Sequence, residues 1–369
     1  MSLRSAWCAT LLLLTLLVAG CGGTETADLV LRNGTIVTVD ADQPEAEALA
    51  IAGDRIVAVG SNAMIDAYVG EGTEVIDLDG QLAVPGFIEG HGHFMSLGDA
   101  QTILDLTQAD TWGDIVQMVA EAAEEAEPGT WIRGRGWHQE KWSVPPSPSV
   151  EGTPVHDGLS AVSPDHPVLL KHASGHASFV NAAALEAAGI SADTEAPPGG
   201  EIVRTADGRP TGMLRENAQD AVEEAFAASQ SDRTPEEVAQ AERERIRLAS
   251  EEALSKGVTT FHDAGSSFEQ IDRFKQAAEA GDLPIRLYVM VRYESNEAMD
   301  AQLPDYRMIG HANHHLTVRS IKRQIDGALG AHGAWLLEPY NDMPQSAGLN
   351  LEPIDEIRRT AEIALKHGF

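Results

Sequence analysis

From residue 85 onward, single apolar runs alternate with segments of helical period, and that alternation leaves few folds open. A strand that is followed by a helix rejoins its sheet in parallel, so the pattern predicts an α/β fold built on a parallel sheet. Residues 86–89, 258–262, 285–291 and 316–325 have the character of such strands. The helix that leads into the second of these strands is punctuated at both ends. Thr234 caps it, Pro235 opens it, Glu237 completes a capping box, and Gly257 closes it. Pro353 opens a further helix with Ile354, Ile357, Ala361 and Leu365 along one face. Residues from about 95 to 233 separate the first two strands as an insertion. The insertion carries a helix at 112–126, a Trp-rich segment around Trp131, Trp137 and Trp142, and a Pro-rich loop at 145–154.

Residues 28–84 read differently. Short β-prone runs are joined by turn dipeptides, Asn33-Gly34, Gly53-Asp54 and Asp79-Gly80, which predicts a small β domain. Before it, Arg4 precedes an apolar run at 9–18 that is too short for a permanent membrane span. Val18-Ala19-Gly20-Cys21 then resembles a bacterial lipobox. The reading is a lipoprotein signal over 1–20, a lipidated Cys21, a linker over 21–27, and a mature chain tied to a membrane on its periplasmic or extracellular face. An ordinary secretory signal with a stray Cys is the alternative. Cys8 is the only other cysteine, so no disulfide and no thiolate chemistry is expected in the mature chain.

Charge excludes one class of partner. Asp plus Glu number 57 against 26 Lys plus Arg, a formal net charge of −31, and such a surface repels phosphate backbones. A small-molecule substrate is expected instead. No internal repeat and no Gly-rich phosphate loop interrupts the chain.

The chemistry begins at Pro85-Gly86-Phe87-Ile88-Glu89-Gly90-His91-Gly92-His93. Alternate residues of a strand share a side, so His91 and His93 can offer two imidazoles to one metal ion, although two surface histidines would have the same spacing. The motif ends the first parallel strand, where barrel enzymes place their catalytic groups. Other histidines carry less. His262 and Asp263 end the second strand without an assigned role, and His311, His314 and His315 are read as loop.

Four ordered segments give the chain a family likeness: the strand just quoted; Ser174-Gly175-His176 with Asn181-Ala182-Ala183-Ala184-Leu185; Gly257-Val258-Thr259-Thr260-Phe261-His262-Asp263; and Ile321-Lys322-Arg323-Gln324-Ile325-Asp326-Gly327. Together they resemble the metal-dependent amidohydrolase superfamily, specifically its family 3 branch, over nearly all of residues 28–369. The resemblance implies a (β/α)₈ TIM-like barrel, part of a β-sandwich at 28–84, and one or two ions, usually zinc, serving hydrolysis of non-peptide C–N bonds in amides, formamides or cyclic amides. It implies Lys322 as a bridging ligand, carboxylated on its amine so that two oxygens face the metals; an edge-strand surface lysine is the alternative. His176, Trp137 and Asp326 are candidates for substrate contact. Trp137 also reads as core, and Asn181 as a helix cap. Two further His ligands and a late Asp belong to the family pattern and do not appear before Phe369. The expectation is therefore an incomplete barrel over 85–369, stopped before a fifth strand, with its last strand edge open, and a chain that is a truncated or inactive fragment of the hydrolase. A non-catalytic, membrane-anchored binding or scaffold lipoprotein is the second reading.

Overall fold

A computed structural model of the chain describes residues 26–369; Cys21 and the signal segment lie outside the described residues. The chain divides into two compact units, Met1–Pro85 and Gly86–Phe369. In the first, Leu29–Arg32 lies between Ala48–Ala52, antiparallel, and Glu74–Asp77, parallel, with Arg55–Gly60 added as a hairpin on the outer side. Thr35–Val37 forms a second, three-stranded sheet with Glu45–Ala46 and Leu82–Ala83. Val30, Ala48, Ala50, Ala58 and Ile65 make the small core.

The second unit holds two larger sheets. The principal sheet runs Met308–Gly310, Leu316–Ile321, Arg286–Val291, Val258–Ser266, Phe87–Gly92, and the last four of these are mutually parallel. Helices Pro235–Ser255 and Phe268–Ala280 follow the βα pattern, each begun by a capping box, Thr234 with Glu237 and Ser267 with Gln270. Phe94, Phe261 and Phe274 meet edge to face inside the core between sheet and helices.

Three expectations need correction. The strand read as 316–325 stops at Ile321, because the chain then turns toward the insertion and Lys322 retains only its backbone bond to Val291 O. The outer edge of Leu316–Ile321 is not open: the short strand Met308–Gly310 pairs with it antiparallel. The exposed edge is the other one, where Phe87 and Ile88 are 60% and 64% exposed. In helix Ile354–His367, Thr360 and Ile363 are buried while Ile354 and Leu365 are exposed, so the packed stripe is rotated from the one read off the apolar residues. Thr360 Oγ1 donates to Asn296 Oδ1, and this polar contact with helix Asn296–Tyr306 sets the rotation.

The insertion is also more than a helix and loops. It forms a six-stranded sheet, Gly200–Arg204, Pro210–Glu216, Ala177–Val180, Val168–His172, Ile132–Trp137, Leu104–Asp105, with helix Trp112–Glu125 against it. Asn181 caps the helix Ala182–Ala187 through Ala184 N–H, as its sequence position suggests. Among the described residues no helix is long and apolar enough to cross a membrane.

Candidate active site

The strand Phe87–Gly92 delivers its two histidines at the carboxyl end of the principal sheet. A side chain at Gly92 would place Cβ 2.2 Å from the Phe261 ring, so glycine is what lets the neighbouring strand close against this end. His91 is exposed and its backbone N–H donates to Glu89 Oε1; His93 is partly buried as it enters the helix Phe94–Ala100. The rings stand edge to face with centroids 6.0 Å apart. Asp263 holds the segment from behind: one carboxylate oxygen accepts from Phe94 N–H and the other from Ser266 Oγ, both at 2.8 Å. Burial raises the Asp263 carboxyl above its ordinary value. Its neighbour His262 instead packs against Tyr288, with ring centroids 5.0 Å apart.

Burial drives His93 down to about 4, and the positive charges of Arg292, His91, Arg135 and Lys322 push the same way. The ring is thus neutral at pH 7, the form a metal ligand needs. Lys322, the first residue beyond its strand, is partly buried, and among the described residues its amine has no hydrogen-bond or ion-pair partner. Arg292 turns instead to Gln324, donating to Oε1 at 2.5 Å and fixing the amide, whose Nε2 lies 3.3 Å from His176 Nδ1. His176 in turn meets Glu216 Oε2 at 2.8 Å. Through these contacts the structure joins the insertion to the strand ends carrying His91, His93 and Lys322.

Two other candidates fall elsewhere. Trp137 is 1% exposed, donates its indole N–H to Leu170 O and stacks on Trp142; it belongs to the insertion's core and presents no face to a substrate. Asp326 accepts from Trp335 N–H and bridges in backbone to Asn350, which fastens the loop after Lys322. Sequence reasoning missed Glu216, Arg292, Gln324 and Arg135. Gln324 lies in the segment after Lys322 but carries no role of its own there; Glu216 and Arg292 enter the site through contacts distant in sequence, and Arg135 through its charge near His93. Nearby His172 is buried, and burial first, then His138, Arg135 and His176, bring it down to about 4.

The donors suit a divalent metal in kind. His91 and His93 are the residues that would hold it, and His93, already neutral, needs no deprotonation to do so. They supply two ligands: among the described residues no group of three His, Cys, Asp or Glu side chains is arranged to hold an ion.

The sequence matches the model of the Amidohydrolase family over residues 74–369. It is 31% identical over 357 residues to Protein LONG AFTER FAR-RED 3 of Arabidopsis thaliana, covering 93% of this chain and 58% of that one. With the N-substituted formamide deformylase of Arthrobacter pascens it shares 30% identity over 266 residues, 72% of this chain and 47% of the relative. The chain therefore spans about half to three fifths of the length of these curated relatives. Its fold is similar to the crystal structure of an uncharacterized metal-dependent hydrolase from Pyrococcus horikoshii, with a TM-score of 0.63 and 22% identity over 92% of this chain and 63% of that one. With the mixed α/β architecture and the paired histidines ending its first parallel strand, this chain belongs to the amidohydrolase family, in its family 3 branch.

Proposed function

We propose that this chain carries the metal- and substrate-holding part of a hydrolase acting on C–N bonds of amides, formamides or cyclic amides outside peptides. The observation that carries the reading is the pair His91 and His93 at a parallel strand end beside Lys322, with His93 held neutral by burial. A relative whose name states that it deformylates N-substituted formamides supports the bond class. The four parallel strands are then an arc of a (β/α)₈ barrel, whose chemistry gathers at the carboxyl ends of its strands.

In this reading His91 and His93 hold zinc or another divalent ion, and Lys322, carboxylated on its amine, is a further ligand able to bridge to a second ion. A bound ion supplies Lewis acidity, which polarises a carbonyl and makes water a stronger acid. The chain's own residues do the rest. Asp263 fixes the backbone that carries His93, Arg292 orients Gln324, and the Gly92 contact keeps the strand ends packed.

Zinc content and turnover of N-formyl and N-acyl amines, measured with zinc and bicarbonate present, test this directly. The His91→Ala His93→Ala double variant should lose its bound zinc and at least about a hundredfold in rate. Equal zinc and equal turnover in the two proteins would sink the assignment.

A further inference from the structure

The insertion brings an imidazole–carboxylate pair to the ends of the principal strands. At 2.8 Å, His176 Nδ1 and Glu216 Oε2 must have a proton between them, because two bare lone pairs at that distance repel. That contact is shorter than the 3.3 Å to Gln324 Nε2, so it takes the Nδ1 proton. The opposite ring nitrogen, Nε2, has no partner among the described residues, and the His176 side chain is 26% exposed. Gln324, which touches this ring, is itself held by Arg292 and lies two residues beyond Lys322.

The pair is built with some force. Glu216 is a non-glycine residue at φ +49° and ψ −127°, a conformation that persists only where the surroundings impose it. Its backbone N–H donates to His176 O, and its side chain is 2% exposed. A Cβ on either Gly327 or Gly333 would come within 2.0 Å of Glu216 Oε1, so the loop after Lys322 closes over the carboxylate only because both are glycine. That Oε1 is buried without a hydrogen-bond partner. A carboxylate kept buried, strained and half unpaired against one imidazole matches the arrangement by which a histidine is oriented for proton transfer.

We propose that His176 gives its Nε2 proton to the leaving nitrogen during C–N hydrolysis, with Glu216 as the positioning residue that aims the ring and stabilises its charged form. The inference rests on the hydrolase reading above. Water adds its oxygen to the acyl carbon as the C–N bond breaks. The bare Nε2 of the neutral ring takes the proton shed by the attacking water, and the bonding electron pair, left on nitrogen, then takes that same proton from the charged ring and returns it to its neutral form. His172, neutral and bonded through Nδ1 to Ser174, does not compete for that proton.

The test compares the full chain with His176→Gln and Glu216→Gln, under zinc and bicarbonate, on N-formyl amines whose leaving groups run from anilines to alkylamines. A strongly basic leaving amine needs its proton most. His176→Gln should lower kcat by about a hundredfold on the alkylamine substrates and far less on the anilides, with KM within twofold. Glu216→Gln should follow the same trend less steeply, and added imidazole should restore rate to His176→Gly. Losses uniform across the series would overturn the role and leave the hydrolase reading standing, whereas a wild type silent on every substrate would sink that reading and this role with it. Should the variants fold poorly, ¹⁵N-histidine spectra of the wild type still decide the pairing. A downfield, hydrogen-bonded Nδ1 proton on His176 supports it, and a ring protonated only on Nε2 overturns it.

Discussion

Two phenylalanines on two strands show how differently the sheets of the second unit are built. Phe179, in the insertion, is fully buried, while Phe87, on the edge strand of the principal sheet, is 60% exposed. Both strands are short, and each sets its phenylalanine beside a β-branched apolar residue, Ile88 or Val180. What separates them is the number of neighbours. Ala177–Val180 has a paired strand on each side and helix Trp112–Glu125 packed against its sheet, with Trp112 touching the Phe179 ring at 4.7 Å. Phe87–Gly92 has one paired neighbour, Val258–Ser266. The insertion is thus the better-finished layer, and the sheet bearing the two histidines is the one with apolar surface uncovered.

The matched pair of substitutions gives the largest test of this contrast. Phe179→Ala should cost about 3–5 kcal/mol of unfolding free energy, and Phe87→Ala about 1 kcal/mol or less, read from denaturant midpoints. Similar losses at both positions would mean that the Phe87 edge is covered in solution.

A smaller effect is expected at the insertion's polar core. Asn181 is fully buried and uses its whole amide: Oδ1 accepts from Val168 and Ala184 N–H, and Nδ2 donates to Ser163 O and His166 O. Asn181→Ala strands several of these groups and should cost roughly 2–3 kcal/mol, whereas a capping role alone predicts about 1 kcal/mol. Chemical denaturation separates the two figures.

A pH dependence that both layers share sharpens the comparison from another side. His93 and His172 are each lowered from 6.5 to about 4, so their contribution to stability is complete above pH 6.5 and is lost as pH falls through about 4. Asp263 acts in the opposite sense, since its raised carboxyl adds stability at low pH that fades as pH rises. Thermal midpoints should fall between pH 6.5 and 4, and His172→Gln should flatten that slope. Equal slopes in both proteins would remove His172 from the account.

Much of this architecture can be read without coordinates wherever the signal is local. The Thr234 box, the Asn181 cap and the His91/His93 spacing are each settled within a few residues of chain, by hydrogen bonds and strand alternation that the neighbouring side chains dictate. The alternation of apolar runs and helices likewise announces a parallel sheet. Which apolar residues are buried is another matter, because burial is conferred by elements far away in sequence. Ile354 and Leu365 are apolar yet exposed, and Trp137 is sealed by strands 30 residues on rather than offered to a substrate. Glu216 is the clearest instance. No motif surrounds it, and its meaning arises only when Pro210–Glu216 pairs with Ala177–Val180 and the glycines of the loop after Lys322 close over its carboxylate. Local chemistry places residues on elements; long-range packing chooses which of them share a site.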